Sequence, residues 1–344
     1  MSKVFFLGSP YMGCNYVRTL LPMWANGWSG EPRSLTKPKL SPSEIRDEMM
    51  KADVVVFHRP DSINHHKMAI ELKKMGKKIV FDNDDTFKDH DPLFKEKYEK
   101  IIQVKNGLTD SFVRNADLVT TSTKFLAKEY KKLNKNVVVL PNCVSPIDWR
   151  KPKRNEGKLR IGLIGSSAYY GDFNEIRDLI KDLSKKYTMV VFGLHNKKQR
   201  SNNPETTELL EDEYKFWDSI EYEQTPWVEM KDYFNTLNDL RLDLMLIPRK
   251  DNYFNRCKSN VKFLESAMCE VPVIASSFKN GPYEELDGQN GIKVKPNEWK
   301  VMVEMLIERP ELRRQIGKNA KEYVLKNYSI KNNAHLWQEA YAKI

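Results

Sequence analysis

A chain of 344 residues that is 40% hydrophobic and 11% aromatic can bury two cores of ordinary domain size, which excludes an intrinsically disordered protein. The formal charge of +10 favours an anionic partner (nucleotide, nucleic acid or membrane surface), but the basic residues are spread among 47 acidic ones, and clusters such as "KKMGKK" and "RKPKR" are short. No apolar run approaches the ~20 residues of a membrane span. The opening "MSKVFFLGSP" lacks a signal-peptide pattern, and the four cysteines (Cys14, Cys143, Cys257, Cys269) have no metal-ligand or CxxC spacing. The expectation is therefore a reduced, cytoplasmic protein without disulfides or structural zinc, touching a membrane at most peripherally at its anionic inner surface.

Apolar, β-branched runs recur along the chain and alternate with helical stretches. "KVFFLG" comes first, then "ADVVVFH", "KKIVFD", "ADLVTTS" and "NVVVLPN". After "RKPKRNEGK" the series restarts with "LRIGLIGSS", "YTMVVFG", "DLMLIP" and "VPVIASS". Continuous apolar runs separated by helices predict parallel strands covered on both faces. Two series predict two doubly wound α/β domains, residues 1–150 and 151–327, with a boundary in the Pro-, Lys- and Gly-rich stretch from Pro141 to Gly157. The last stretch, 328–344, reads as a helix with Ala334, Trp337 and Ala340 or Tyr341 on one face, able to pack back on the N-terminal domain.

In open α/β sheets ligands lie beyond the carboxyl ends of the strands, so residues just after each run carry most weight. His58 and Arg59 follow one strand; His58 suits a sugar or acceptor hydrogen bond or a structural one, and Arg59 suits a phosphate or carboxylate. His65 and His66 read as helix surface. Asp82, Asp84 and Asp85 in "FDNDDTF" are hard oxygen ligands by type, acceptor-hydroxyl contacts, or a turn; no obligatory metal is expected. In "IGLIGSSAYYGDF", Gly165, Ser166 and Ser167 let backbone N–H groups approach a phosphate, while Asp172 is either a site residue or a helix N-cap with Glu175 three positions on. The GxGxxG pattern is absent, which argues against a nicotinamide enzyme, and there is no GxSxG elbow or Walker loop.

The segment "NRCKSNVKFLESAMCEVPVIASS" places Lys258, Lys262 and Glu265 at i, i+4 and i+7, one polar stripe on a helix. Two readings compete. One is a solvated face with a Lys262–Glu265 pair, contributing a few tenths of a kcal/mol. The other is an anion site at the positive helix end, with Arg256 and Lys258 at or just before that end.

This segment, with "PYEELDGQNGIKV", "IGLIGSSAYYGDF", "FDNDDTF" and "GCNYVRTLLP", resembles the retaining, nucleotide-sugar-dependent glycosyltransferases of the GT-B fold, the group 1, family 4-like type. The resemblance covers most of the chain and is strongest from Arg160 to Val294. It implies two Rossmann-like domains facing across a cleft. It also implies that Glu265 holds the donor ribose and that basic residues before it neutralise the diphosphate. On this basis His58, Arg256, Lys258 and Glu265 are the expected catalytic residues. Gly165, Ser166, Ser167, Asp172, Asn255, Asn260, Lys262 and Ser276 are the expected donor contacts, and Tyr11, Asn15, Arg18, Arg59, Asp82, Asp84 and Asp85 lie on the acceptor side. Two departures stand out: Cys257 occupies the position of an earlier glutamate, and Tyr169 a position where relatives often have histidine. The implied reaction moves a sugar from a nucleotide-diphosphate sugar to an acceptor hydroxyl with retention. The nucleotide sugar is a co-substrate and no cofactor is expected. The expected acceptor is a glycan or lipid-linked sugar. A hydroxymethylated DNA base is the alternative, and a sugar-nucleotide epimerase or a non-catalytic nucleotide-sugar-binding protein are rivals on the same fold.

Overall fold

A computed structural model describes residues 2–8, 13–35, 40–60, 62–86, 88–89, 92–166, 169–193 and 204–344. Tyr11 and Ser167 lie outside the described residues. Among the described residues, twelve strands form two parallel sheets of six. The first holds β1 (Val4–Leu7), β2 (Ser29–Glu31), β3 (Val54–His58), β4 (Lys78–Asn83), β5 (Leu118–Thr121) and β6 (Val137–Val139), in the order β2-β1-β3-β4-β5-β6. The second holds β7 (Arg160–Ile164), β8 (Thr188–Phe192), β9 (Glu223–Thr225), β10 (Leu244–Ile247), β11 (Val273–Ser276) and β12 (Ile292–Val294), in the order β12-β11-β10-β7-β8-β9.

Nine strands coincide with the apolar runs. The other three, β2, β9 and β12, are edge strands reading "SGE", "EQT" and "IKV". β2 and β9 have almost no apolar signal, and β12 is only three residues with a lysine at its centre; an edge strand is held by pairing on one side and can do with little burial.

Alternation along each inner strand covers both faces. In the first sheet Phe5, Val55, Phe57, Ile79 and Phe81 feed one core, and Val4, Phe6, Val54, Val56 and Val80 the other. The second core includes Ile330, Trp337, Ala340 and Tyr341 of the last helix, Ile330–Tyr341, so the chain's end packs on the first sheet. A parallel bridge between Val144 and Ser329 pins that return, with Ile330 N–H donating to the Val144 carbonyl at 2.8 Å. In the second sheet Leu163, Met189, Val191, Leu244 and Leu246 face one core, and Val190, Phe192, Met245, Ile247 and Ala275 the other.

Strand order reverses between β1 and β3 in the first sheet and between β7 and β10 in the second. At such a switch point the flanking helices leave to opposite faces, and a crevice opens at the carboxyl end. The two crevices face each other. Packed aromatic contacts tie the domains on either side of the gap. Tyr16 meets Phe234 at 5.1 Å between ring centres, and Phe125 meets Tyr253 at 5.6 Å. The short helix Tyr253–Cys257, which follows β10, buries Cys257 in the first domain's core. All four cysteines are free, and among the described residues no helix is long and apolar enough to cross a membrane.

Candidate active site

A cavity of about 390 Å³ lies between the two switch points. Cys14, Arg59, Asp84, Asp85 and Asn142 line it from the first domain; Gly165, Ser166, Tyr169, Trp227, Tyr233, Arg249, Lys258, Lys262 and Glu265 line it from the second.

The first-domain wall is a closed network of ion pairs. Arg18, fully buried, forks onto Asp82 with Nε at 3.0 Å and Nη2 at 2.5 Å. Thr120 Oγ1 donates to Asp82 at 2.6 Å, and His58 Nδ1 lies 3.0 Å from the other carboxylate oxygen. Burial opposes the Asp82 charge, but Arg18 and His58 outweigh it and hold the carboxyl well below its usual range. Burial likewise opposes charge on His58, yet Asp82 and the neighbouring Cys14 raise it to about 9. Nearer the cavity, Arg59 Nε donates to Asp84 at 2.7 Å and Nη2 to Asp85 at 3.0 Å. Arg59 has φ +44°, a left-handed conformation that is strained for a side-chain-bearing residue and is found disproportionately at functional sites.

The second-domain wall carries cations laid on aromatic faces. Arg249 sits 4.2 Å over the Tyr169 ring, Lys258 3.9 Å over Phe254 and Lys262 5.4 Å over Tyr233. Lys262 Nζ donates to Glu265 Oε2 at 2.9 Å and to the Tyr233 hydroxyl at 2.9 Å, and that hydroxyl donates to Glu265 at 2.8 Å. Burial opposes the Lys262 charge, but Glu265 and Tyr233 raise its pKa. Lys258 Nζ reaches across the gap to Asp85 Oδ2 at 2.6 Å. Together with burial, which opposes it, Lys258 and Arg59 bring Asp85 to about 2.

Local sequence explains this wall. Gly165 follows β7 against Tyr169; a Cβ there would lie 2.6 Å from the tyrosine ring, so only glycine lets the loop close. The helix Val261–Met268 buries Phe263, Leu264, Ala267 and Met268, which leaves Lys262 and Glu265 on the cavity side.

Several of the expected residues lie elsewhere than at the cavity surface or on the expected element. Lys258 is not on that helix; it caps the preceding Tyr253–Cys257 helix in extended conformation, and its charge reaches the cavity by the turn between them. Arg256 is paired with Asp251 at 2.7 Å and does not line the cavity. Asp172 is neither N-cap nor cavity residue. It lies within the helix Tyr170–Asn174 and accepts from Arg249 Nη1 at 2.7 Å, the Lys250 N–H at 2.9 Å and Asn255 Nδ2 at 2.7 Å. Asp172, Asn255 and Ser276, whose hydroxyl accepts from the Arg249 N–H at 2.7 Å, shape the loop after β10 and do not line the cavity. Asn260 is turned to Glu285. Asn15 is buried and bonded to Thr19, and Arg18 and Asp82 lie behind the wall. His58 is only 2% exposed, also behind it. His66 is not plain surface: its ring stands edge-on to Phe112 at 5.2 Å and its Nε2 is 3.2 Å from Ser111.

Gly165, Ser166, Arg59, Asp84, Asp85, Lys258, Lys262 and Glu265 therefore converge on one cavity. Sequence reasoning missed Cys14, Trp227, Tyr233 and Arg249 as lining residues. Arg249 stands directly after β10 at the switch point, which was signal enough. Trp227 follows the polar strand β9, which left none.

Residues 175–339 match a family model described as glycosyl transferase-like. An uncharacterized glycosyltransferase of Methanocaldococcus jannaschii is 21% identical over 252 residues, 70% of this chain; the chain spans 56% of the length of that curated relative. Among solved structures, HepE of Anabaena in complex with UDP-glucose superposes with a TM-score of 0.69 at 12% identity, over 100% of both chains. Sucrose-phosphate synthase of Thermosynechococcus elongatus gives 0.62 at 15% identity, over 99% of this chain and 98% of that one. An α-glucosyltransferase in complex with UDP-glucose and DNA containing an abasic site gives 0.63 at 13% identity, over 98% of each. Residues 175–339 are thus similar to a glycosyl transferase-like domain, and the whole chain has the GT-B architecture, two Rossmann-like domains across a cleft.

Proposed function

We propose that the protein transfers a glycosyl group from a nucleotide-diphosphate sugar to an acceptor hydroxyl, with retention of configuration, and that the acceptor is a glycan or lipid-linked sugar. The observation that carries this reading is the second-domain wall. Arg249, Lys258 and Lys262 stand around the positive end of the Val261–Met268 helix, with Glu265 within the same cavity. Breaking the glycosidic bond builds negative charge on the diphosphate, and cations fixed around it stabilise that charge more in the transition state than in the ground state. Glu265 accepts the vicinal ribose hydroxyls once Lys262 turns to phosphate. Trp227, 56% exposed at the rim, offers a face for the base. UDP-sugars are the first donors to test, since HepE was solved with UDP-glucose. The acceptor hydroxyl approaches from the Asp84 and Asp85 side. Each carboxylate on the cavity is engaged with a cation (Asp84 with Arg59, Asp85 with Lys258, Glu265 with Lys262), which supports same-face attack without an enzymic nucleophile. Peripheral membrane contact, if the acceptor is lipid-linked, would rest on the positive charge.

The test is calorimetric titration of UDP, UDP-glucose and other nucleotide sugars, followed by donor hydrolysis with a panel of acceptors. Binding of a nucleotide sugar with slow hydrolysis, accelerated by a glycan or lipid-linked acceptor, is the expected result. An isomerised donor, or binding without any turnover, would replace the transferase with one of its rivals.

The second reading, a hydroxymethylated DNA base as acceptor, is favoured by the +10 charge and by the DNA-bound neighbour. Binding to a duplex would then fall with salt at roughly −0.9 in log K per neutralised phosphate. Salt-steep binding followed by transfer to a hydroxymethylated duplex would make this the function.

A further inference from the structure

We propose that Cys14, His58 and Asp84 form a zinc-binding site on the first-domain wall of the cavity. One donor atom of each (Cys14 Sγ, a ring nitrogen of His58 and a carboxylate oxygen of Asp84) lies within 4.8 Å of the others. Ligands of a tetrahedral zinc stand about 3.5 Å apart, so small side-chain rotations close the set. A second, independent observation points to a ligand. His58 is 2% exposed, its Nδ1 is fixed by Asp82, and its buried Nε2 has no hydrogen-bond partner of normal geometry, with only the Cys14 thiol beside the ring. An imidazole with one nitrogen on a carboxylate and the other unpartnered is the arrangement by which metal-binding histidines are oriented. Asp82 is itself clamped by Arg18 and Thr120, so the ring cannot swing away without breaking that cluster.

The remaining ligands fit. Asp84 Oδ1 accepts from Arg59, and a carboxylate with two oxygens has capacity for both the arginine and a metal. Arg59 and Lys258 bring positive charge nearby, but each is already paired, with Asp84 and Asp85. One sulfur, one nitrogen and one oxygen select a borderline cation over magnesium or calcium. Cys14 and Asp84 line the cavity, so the fourth position opens into it. Binding releases the protons carried by Sγ and Nε2. The site stands on first-domain residues alone and does not rest on the donor reading.

The full chain, stripped with EDTA and desalted, is titrated with Zn²⁺ against a chromogenic zinc chelator, then with Co²⁺ while the near-ultraviolet spectrum is recorded. One equivalent of Zn²⁺ is expected to bind, uncontested by Mg²⁺, and Co²⁺ is expected to give a thiolate charge-transfer band. Cys14→Ser and Asp84→Asn should each weaken Zn²⁺ by at least about tenfold, and Cys14→Ser should abolish the band; Cys269→Ser, in the second domain's core, should change neither. Absence of specific binding, or unchanged binding in folded Cys14→Ser, overturns the proposal. Should that variant fail to fold, Zn²⁺ must slow iodoacetamide labelling of Cys14 in the unmodified chain, read by mass spectrometry. No protection overturns the site equally.

Discussion

The two walls of the cavity use charge differently. On the first, Asp82 is 1% exposed and Arg18 0%, and every strong partner is another protein group. On the second, the cations lie over aromatic rings and at the cavity surface, with Lys258 and Lys262 side chains 17% and 15% exposed. A ring face attracts a cation without neutralising it. Lys258 and Lys262 are also paired, with Asp85 and Glu265, but these pairs lie at the cavity surface, where an incoming anion can compete for the cation. A buried bidentate pair cancels itself and leaves nothing to offer. Similar densities of charged residues therefore make a brace on one side and a binding surface on the other. What separates them is desolvation, which no count of charges along the chain records.

The largest expected effect breaks the brace. Asp82→Ala leaves the Arg18 guanidinium buried without its partner, and removing one member of such a pair costs roughly 3–5 kcal/mol. Denaturant unfolding should show a severe loss or no folded protein; a mild change would put Arg18 among the binding groups instead.

The next effect belongs to the other wall. Lys262→Met keeps the stem over Tyr233 and removes the charge, so turnover of the donor should fall about a hundredfold, near 2.7 kcal/mol, with little change in melting temperature. If stability collapses while turnover holds, the two walls are alike after all.

Glu265→Ala should weaken donor binding or turnover at least about tenfold, near 1.4 kcal/mol, in a folded protein. Unchanged kinetics would return the Lys262–Glu265 pair to an i,i+3 salt bridge of little consequence.

Glycosyl transfer should survive EDTA undiminished, because fixed cations stand where a metal-dependent enzyme would hold its ion. Complete loss restored by manganese or magnesium would place a catalytic metal on Asp84 and Asp85, apart from the zinc site proposed above.

The smallest effect is a pH dependence at the domain junction. Burial raises Asp148, which accepts from the Tyr16 hydroxyl, to about 6 from the ordinary 3.8. The folded state thus holds this proton more tightly than the unfolded one. Its contribution is full below about pH 4 and is lost as pH rises through about 6. Asp148→Asn should therefore raise the melting temperature slightly at pH 7.5 and leave it unchanged near pH 4; the reverse order would contradict the shift.

The inner strands were legible because a strand covered on both faces must be apolar at every position, as in "VVVF" and "LMLI". Three of the four edge strands were not, because stretches such as "EQT" and "SGE" are held by ladder bonds that leave no mark on composition. Glu265 and Lys262 were found from helical spacing and resemblance. Helical spacing put Lys258 on the same helix as Lys262, but that helix begins at Val261; the turn Lys258–Asn260 sends the Lys258 charge to the cavity, while Arg256 stays on Asp251. Asp172 and Asn255 were expected as donor contacts, Asp172 with a helix N-cap as its alternative, since both are polar and stand near strand ends. Only the folded loop shows that they satisfy each other.

By itself the sequence determined the two parallel sheets and the end of each sheet where chemistry is possible, because apolar periodicity and strand polarity are local and written residue by residue. Tertiary structure alone decided which charges at those ends are sealed behind the wall and which reach the cavity surface. A lysine over a ring, an arginine sealed against an aspartate and a histidine with one unpartnered nitrogen are alike in composition. They differ in solvation and in neighbours brought from distant segments, as Asp82 meets Arg18 across 64 residues and Lys258 meets Asp85 across 173.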